Sequence, residues 1–283
     1  MIPLLKFLAR LPLPLLHALG ALLGWAIYLA PGRHSRRLRD NLAASGLCAD
    51  CRPLLRASVA EAGKAVIEAI PMWLAPLPRT LGWVRAVHGL DAVDAALAAQ
   101  RGVIVIAPHL GCFELINLYF AARGPFTALY KPARKPALDA LMRQGRERGQ
   151  AKLVPTDLSG VRALLAALKR GEAVGILPDQ VASGGDGVWA YFFGQPAYTP
   201  TLAASLRTRT GAAAFYVVAA RLPRGRGYEL HLVPAGDFPP DKTAAAVQIN
   251  RGVEAMVRRF PAQYMWTYNR YKRPGDAPPP PAA

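Results

Sequence analysis

Four consecutive β-branched residues, Val103-Ile104-Val105-Ile106, stand between Gly102 and the sequence Ala107-Pro108-His109. An apolar run without alternation has no polar face to turn towards water, so it reads as a strand buried on both sides. Such a strand needs helices above and below it, and the flanking sequence supplies them. Helical patterns are predicted over residues 91–99, 112–122, 136–148, 158–169 and 243–259. Further strands are predicted over 84–88, 126–130, 173–177, 213–220 and 228–233, with a short extended piece at 153–155. Strands alternating with helices predict an α/β fold, a mixed, mainly parallel sheet flanked by helices. No internal repeat and no second catalytic domain is visible.

Upstream of this alternation, residues 11–30 read LPLPLLHALGALLGWAIYLA, in which only His17 can carry a charge. A helix of this length reaches about 30 Å, roughly a bilayer core. Pro12 and Pro14 are expected to delay its regular part until near Leu15, which leaves an oblique, interfacial anchor open. The basic stretch Arg33, His34, Arg36, Arg37, Arg39 follows. Basic residues after an apolar helix stay on the cytoplasmic side and attract anionic lipid. A retained membrane-anchoring helix over residues 1–32 is therefore expected, ahead of a catalytic domain over 33–274 and a loose Pro- and Ala-rich tail over 275–283. A cleaved signal peptide and a buried core helix are the alternatives. Residues 35–45 read as a short basic helix. Residues 53–74 read as another, with Val59, Val66, Ile67 and Ile70 as its apolar stripe.

The chain has 35 Lys and Arg against 18 Asp and Glu, a net charge of +17. That excess attracts polyanions: nucleic acid, anionic headgroups, phosphorylated glycolipids or an acidic carrier protein. No zinc finger, ribonucleoprotein motif or recognition helix supports nucleic acid. Of three cysteines, Cys48 and Cys51 form a Cys-x-x-Cys in a polar connector, with no second pair to complete a zinc site. So few cysteines fit a reducing compartment.

His109 follows a buried strand, where ligands of open α/β sheets bind. Glu114 stands five residues on. In one helix the two would diverge by about 140°. They are therefore expected in a turn and in the following helix, with Gly111 allowing the tight path. A neutral imidazole can take the proton of an attacking hydroxyl, and a carboxylate on its other nitrogen fixes the tautomer. The acceptor then supplies the nucleophile, and the chain has no Gly-x-Ser-x-Gly elbow, P-loop or His-Glu-x-x-His helix. A hydrogen-bonded histidine and a solvated glutamate fit the same spacing.

The stretch His109 to Glu114 resembles the His-x4-Glu box of glycerolipid and lipid A acyltransferases. Other segments resemble the bacterial lipid A late acyltransferases, the lauroyl/myristoyl transferase family. They are Tyr130 to Pro136 with Leu138-Asp139; Gly160-Val161-Arg162 with Lys169 to Glu172; Ile176 to Gln180 with Phe192-Phe193-Gly194; and Pro261 to Trp266 with Arg270 to Pro274. Cys112 and Lys131 depart from that pattern, where a polar residue and Arg are usual.

The resemblance implies a glycerolipid acyltransferase-like fold at the inner membrane, with its catalytic domain facing the cytoplasm. It implies transfer of a fatty acyl chain from acyl carrier protein to a hydroxyl of a Kdo-bearing lipid A precursor, with no covalent enzyme intermediate, metal or cofactor. His109 would be the general base and Glu114 its orienting partner. Arg162 would stabilise the oxyanion or bind acceptor phosphate, with Asp179 at the same rim to pair with it. Lys131, Arg134 and Lys135 would meet lipid phosphates or the acidic carrier. Trp189, Tyr191, Phe192 and Phe193 would line an acyl groove or belong to the core. Another membrane glycolipid acceptor, and a non-catalytic basic membrane-binding protein, remain as alternatives.

Overall fold

The run Val103–Ile106 is the middle strand of a seven-stranded sheet, with every residue buried. The structure is a computed structural model that describes residues 2–30, 32–182 and 185–280. Five helices open the chain: α1 (Ile2–Leu8), α2 (Leu13–Leu29), α3 (Arg33–Ala44), α4 (Arg52–Leu74) and α5 (Leu77–Leu81). The alternation follows: β1 (Val84–His88), α6 (Leu90–Ala98), β2 (Val103–Ile106), α7 (Phe113–Arg123), β3 (Phe126–Tyr130), α8 (Pro136–Arg146), β4 (Ala151–Pro155), α9 (Leu158–Lys169) and β5 (Ala173–Ile176). Then come β6 (Gly187–Phe192), β7 (Gln195–Pro200), α10 (Leu202–Thr210), β8 (Ala213–Arg221), β9 (Tyr228–Pro234) and α11 (Lys242–Arg259).

The sheet order is β1-β9-β8-β2-β5-β3-β4. All its pairings are parallel except β8 with β9. The mixed, mainly parallel α/β architecture expected from the sequence is present. Successive residues of β2 point to opposite faces. Ile104 and Ile106 join a core with Leu164 of α9 and Ile249 and Val253 of α11. Val103 and Val105 join a second core with Val93 of α6 and Leu115 and Leu118 of α7.

The first turn of α2 differs from expectation. Pro12 occupies its N-cap and the helix starts at Leu13, because proline is preorganised for a first turn and lacks only an N–H that would have no partner there. The helix lies along α4 with backbones in contact: a Cβ on Gly63 would stand 2.0 Å from the Gly20 carbonyl oxygen. Its outer side exposes Leu15, Leu22, Ile27 and Leu29, continued by Leu4 and Phe7 of α1. No single described helix is long and apolar enough to cross a membrane; α2 and α3 meet the length and composition together, bent by 96°.

The expected stripe on α4 is only partly inward. Val59 is buried, but Val66 is exposed and Glu68 is buried. Glu68 is inward because it meets Arg221 in a two-pronged ion pair, Nε to Oε2 at 2.8 Å and Nη2 to Oε1 at 2.6 Å. Tyr228 donates its hydroxyl to the same carboxylate at 2.9 Å, and His17 of α2 lies 3.3 Å away. Burial works to raise the Glu68 pKa, but Arg221 and His17 outweigh it and hold it at about 2. A carboxyl lowered on folding adds stability above its unfolded pKa. That contribution fades as pH falls from about 4.5 towards 2. Acid unfolding of Glu68→Gln followed by circular dichroism should therefore show a shallower loss of stability across that window.

Two further expectations change. Cys48 and Cys51 form a disulfide in the turn between α3 and α4, which brings their Cα atoms within 5.1 Å. The reading of unpaired, reduced thiols is corrected for these two. Residues 275–280 run back over the β6–β7 hairpin, where Trp189 donates its indole N–H to the Pro278 carbonyl and Ala277 is buried. Residues 281–283 of the expected loose tail lie outside the described residues.

Candidate active site

β2 ends in the turn Ala107 to Cys112, which feeds α7. Gly111 takes φ +65, and a Cβ there would stand 2.1 Å from the Ala219 carbonyl oxygen. The turn is pinned on several sides. Met265 N–H donates to the His109 carbonyl at 3.0 Å, Gly111 N–H to the Gln263 carbonyl at 3.1 Å, and Cys112 N–H to the Ala219 carbonyl at 2.8 Å.

Strand β5 is the parallel neighbour of β2, with Ile106 opposite Ile176. Its exit, Leu177-Pro178-Asp179-Gln180, therefore lies against the turn. Asp179 accepts from His109 twice: the ring Nδ1 at 2.9 Å and the backbone N–H at 2.9 Å. Asp179 is 3% exposed. Burial works to raise its carboxyl, but the His109 contacts prevail and hold it below the usual carboxylate range. An ionised carboxylate only accepts hydrogen bonds, so the ring proton sits on Nδ1 and the Nε2 lone pair is left outward. Gln180 Nε2 lies 3.1 Å from it and donates to that lone pair. Phe113 packs on the imidazole at 4.9 Å between centroids. A histidine so held is built to accept a proton at Nε2.

Glu114 does not occupy the expected position. Its buried carboxylate makes a two-pronged pair with Arg146 of α8, with Nε donating to Oε2 at 2.8 Å and Nη2 to Oε1. The partner of His109 is Asp179, and the expected pairings of Glu114 with His109 and of Asp179 with Arg162 are corrected. The cause is topology. On α7 it is Phe113 that meets the imidazole while Glu114 faces α8, and strand order brings the exit of β5 next to the ring. Arg146 stacks on Tyr130, at 5.5 Å from its centroid, and on Trp73. Tyr130 donates to Asp139 at 2.5 Å, and Ala133 N–H donates to the same oxygen at 2.7 Å. Glu114 thus belongs to the support of the loop that carries Lys131, Arg134 and Lys135, all exposed.

Parallel strands put the loops after β2, β3, β4 and β5 on one edge of the sheet. Lys131, Arg134 and Lys135 follow β3, and Arg162 stands exposed in the second turn of α9, after β4. They form a basic rim on the edge that holds His109. Of the aromatic group, Phe192 and Phe193 are buried core residues against Tyr264 and Trp266, while Tyr191 is exposed. An apolar cavity of about 210 Å³ lies between α2, α3 and α4, lined by Gly24, Leu38, Val59, Ala62 and Val66 and reaching Thr267. Thr267 is two residues from Met265, which is bonded to His109.

Sequence reasoning missed Arg146 and Arg221, and noted Gln180 only as part of the Ile176 to Gln180 segment. Arg270, noted only as part of a terminal motif, is buried and donates to the Tyr198 carbonyl at 3.0 Å and Thr199 Oγ1 at 2.7 Å, bracing β7. The trio His88, Glu229 and His231 brings its ligand atoms within 4.8 Å of one another. The two rings stack at 17°, and Arg259 Nη2 lies 3.2 Å from His231 Nδ1. The lone pairs of stacked, nearly parallel rings lie in separate planes and do not converge on one point, so the rings are poorly aimed to hold an ion together. His88 also ends a strand antiparallel to β2, at the edge opposite His109.

The chain is 28% identical to the lipid A biosynthesis lauroyltransferase of Escherichia coli K12, covering 97% of this chain and 91% of the relative. It is 28% identical to the lipid A biosynthesis palmitoleoyltransferase of the same organism, covering 93% and 87%. A phosphatidylinositol mannoside acyltransferase of Mycobacterium tuberculosis is 30% identical over 58% of this chain and 52% of its own length. The description of bacterial lipid A biosynthesis acyltransferases matches residues 1–273, and the chain belongs to that family.

Proposed function

We propose that this acyltransferase moves a fatty acyl chain from acyl carrier protein to a hydroxyl of a Kdo-bearing lipid A precursor, with His109 as general base. The observation that carries the mechanism is the His109–Asp179 pair, which leaves Nε2 as a lone pair at the sheet edge. The acceptor hydroxyl displaces the Gln180 amide and passes its proton to Nε2 as its oxygen attacks the thioester carbonyl. Collapse of the tetrahedral intermediate breaks the C–S bond. The imidazolium then returns the proton to the departing thiolate, giving an ester and a free thiol. No enzyme nucleophile takes part. Lys131, Arg134, Lys135 and Arg162 supply positive charge for acceptor phosphates and for the acidic carrier. The cavity beside Thr267 suits an acyl tail.

The exposed apolar side of α1 and α2, with Arg33, Arg36 and Arg39 exposed beside it, supports seating on the cytoplasmic face of the inner membrane. Glu114→Ala leaves Arg146 as a half-buried, unpaired cation and loosens the basic loop. Transfer should fall about 10- to 100-fold, chiefly through KM for the acceptor. Steady-state kinetics would check this, and a kcat loss at constant KM would instead place Glu114 on the reacting atoms.

The direct test of the reaction is mass spectrometry of lipid A from a bacterium lacking its own late acyltransferases. Expression of the chain should add the mass of one acyl chain, and the His109→Ala form should add none. No gain from protein present in the membrane would favour another glycolipid acceptor, the reading that similarity to the mannoside acyltransferase supports.

A further inference from the structure

We infer that Arg221 is a positioning residue for the turn that carries His109, with Glu68 as the counter-charge that aims it. The inference rests on His109 acting as the base. Arg221 ends β8, the parallel neighbour of β2, so its side chain reaches the underside of that turn. It is 5% exposed. Nε and Nη2 engage Glu68, Nη1 donates to Glu61 Oε2 at 3.2 Å, and Nη2 also donates to the Gly111 carbonyl at 2.8 Å.

The bond to Gly111 is not needed to neutralise the charge, because Glu68 and Glu61 already do so. What it does is fix a carbonyl two residues from His109. The other polar group of the same glycine is held by the same unit. Gly111 N–H donates to the Gln263 carbonyl, while the Gln263 side chain accepts from Arg221 N–H at 2.8 Å and donates to the Arg221 carbonyl at 3.1 Å. Gly111, in its left-handed conformation, is thus gripped at both ends by one Arg221–Gln263 assembly.

A buried ion pair is a poor device for stability, since desolvation offsets most of its attraction. It is a good device for setting direction. The planar guanidinium can hold a carboxylate with one edge and a carbonyl with the next, which the point charge of lysine cannot reproduce. Glu68 is itself fixed by Tyr228 from β9 and approached by His17 from α2. The N-terminal helix therefore belongs to the chain of contacts that ends behind the base.

The experiment uses the full-length protein in detergent with two variants. Arg221→Lys keeps a cation for Glu68. The double variant Arg221→Met with Glu68→Gln removes both charges, so no unpaired ion is left in the core. Each is measured for thermal unfolding, for kcat and KM with acyl carrier thioester and lipid acceptor, and for amide hydrogen exchange.

Both variants should stay folded, with KM little changed and kcat lowered by up to about 100-fold, the cost of small misplacement at a reacting centre. Exchange should quicken in the peptide spanning 109–113 while β2 and β5 stay protected. Near wild-type kcat, or exchange that rises throughout the sheet in step with lost activity, would overturn the positioning role. So would failure of both variants to fold, which would make Arg221 a folding residue. A wild-type protein without transfer would instead count against the proposed acceptor and donor, and the exchange readout does not depend on activity.

Discussion

Acyl transfer by the His109→Ala protein is expected to fall by up to about 10⁴-fold, the upper range for removal of a positioned general base. The expectation follows from the absence of a substitute. The acceptor hydroxyl must lose a proton as it attacks, and Asp179, the nearest carboxylate, lies behind the imidazole with both oxygens on His109. The fold should survive, because Asp179 keeps the backbone N–H of residue 109 and loses only the ring bond. That costs about 1–3 kcal/mol for a buried acceptor. Transfer rates per folded molecule, with circular dichroism as the control, would check this. A variant retaining a tenth or more of the wild-type rate would remove the base mechanism.

The Asp179→Asn protein should lose about 10³-fold, close to 4 kcal/mol of barrier, although it changes one atom. Asp179 accepts two N–H groups from His109, and an amide has only one oxygen to offer. If that oxygen keeps the backbone N–H, the amide nitrogen faces Nδ1 and donates to it. The ring proton then moves to Nε2, and the lone pair needed for chemistry is lost. If the amide turns over, two donors confront each other at the backbone. Either arrangement fails, so the loss should appear in kcat at every pH where the fold is intact. Nuclear magnetic resonance of labelled histidine would report the tautomer directly. An Nε2-protonated ring would confirm the first arrangement, an Nδ1-protonated ring in an inactive protein would assign the loss to the second, and a near wild-type rate would break this explanation.

The parts of the fold legible in sequence were those with local signals. The Val103–Ile106 run, the helix over 158–169 closed by Arg170-Gly171 and the strand over 213–220 declare themselves through apolar runs and periodicity. The β6–β7 hairpin did not. Its two-residue turn is Phe193-Gly194, with φ of +47 and +73, and phenylalanine at a positive φ is no turn signal. Its stability comes from elsewhere, since Phe193 N–H donates to Glu254 of α11 at 2.7 Å.

The candidate site shows the same division. His109 was legible because it follows a buried strand. Its carboxylate partner was not, because Glu114 is near in sequence and Asp179 is near only through strand order. Glu68 broke the apolar stripe of α4 for a reason located in β8. Nothing local distinguishes a glutamate that will meet a buried arginine from one that faces water.

The three backbone bonds that pin the His109 turn have a bearing on how the protein comes into being. Two of them reach Gln263 and Met265, close to the end of the chain. On the ribosome the turn emerges roughly 150 residues before its clasp, an interval on the order of ten seconds at ordinary elongation rates. The exposed apolar side of α2 is already made throughout that interval, while His109 still lacks its final geometry. The turn therefore takes its final form late, and a chain cut before Gln263 would lack both bonds.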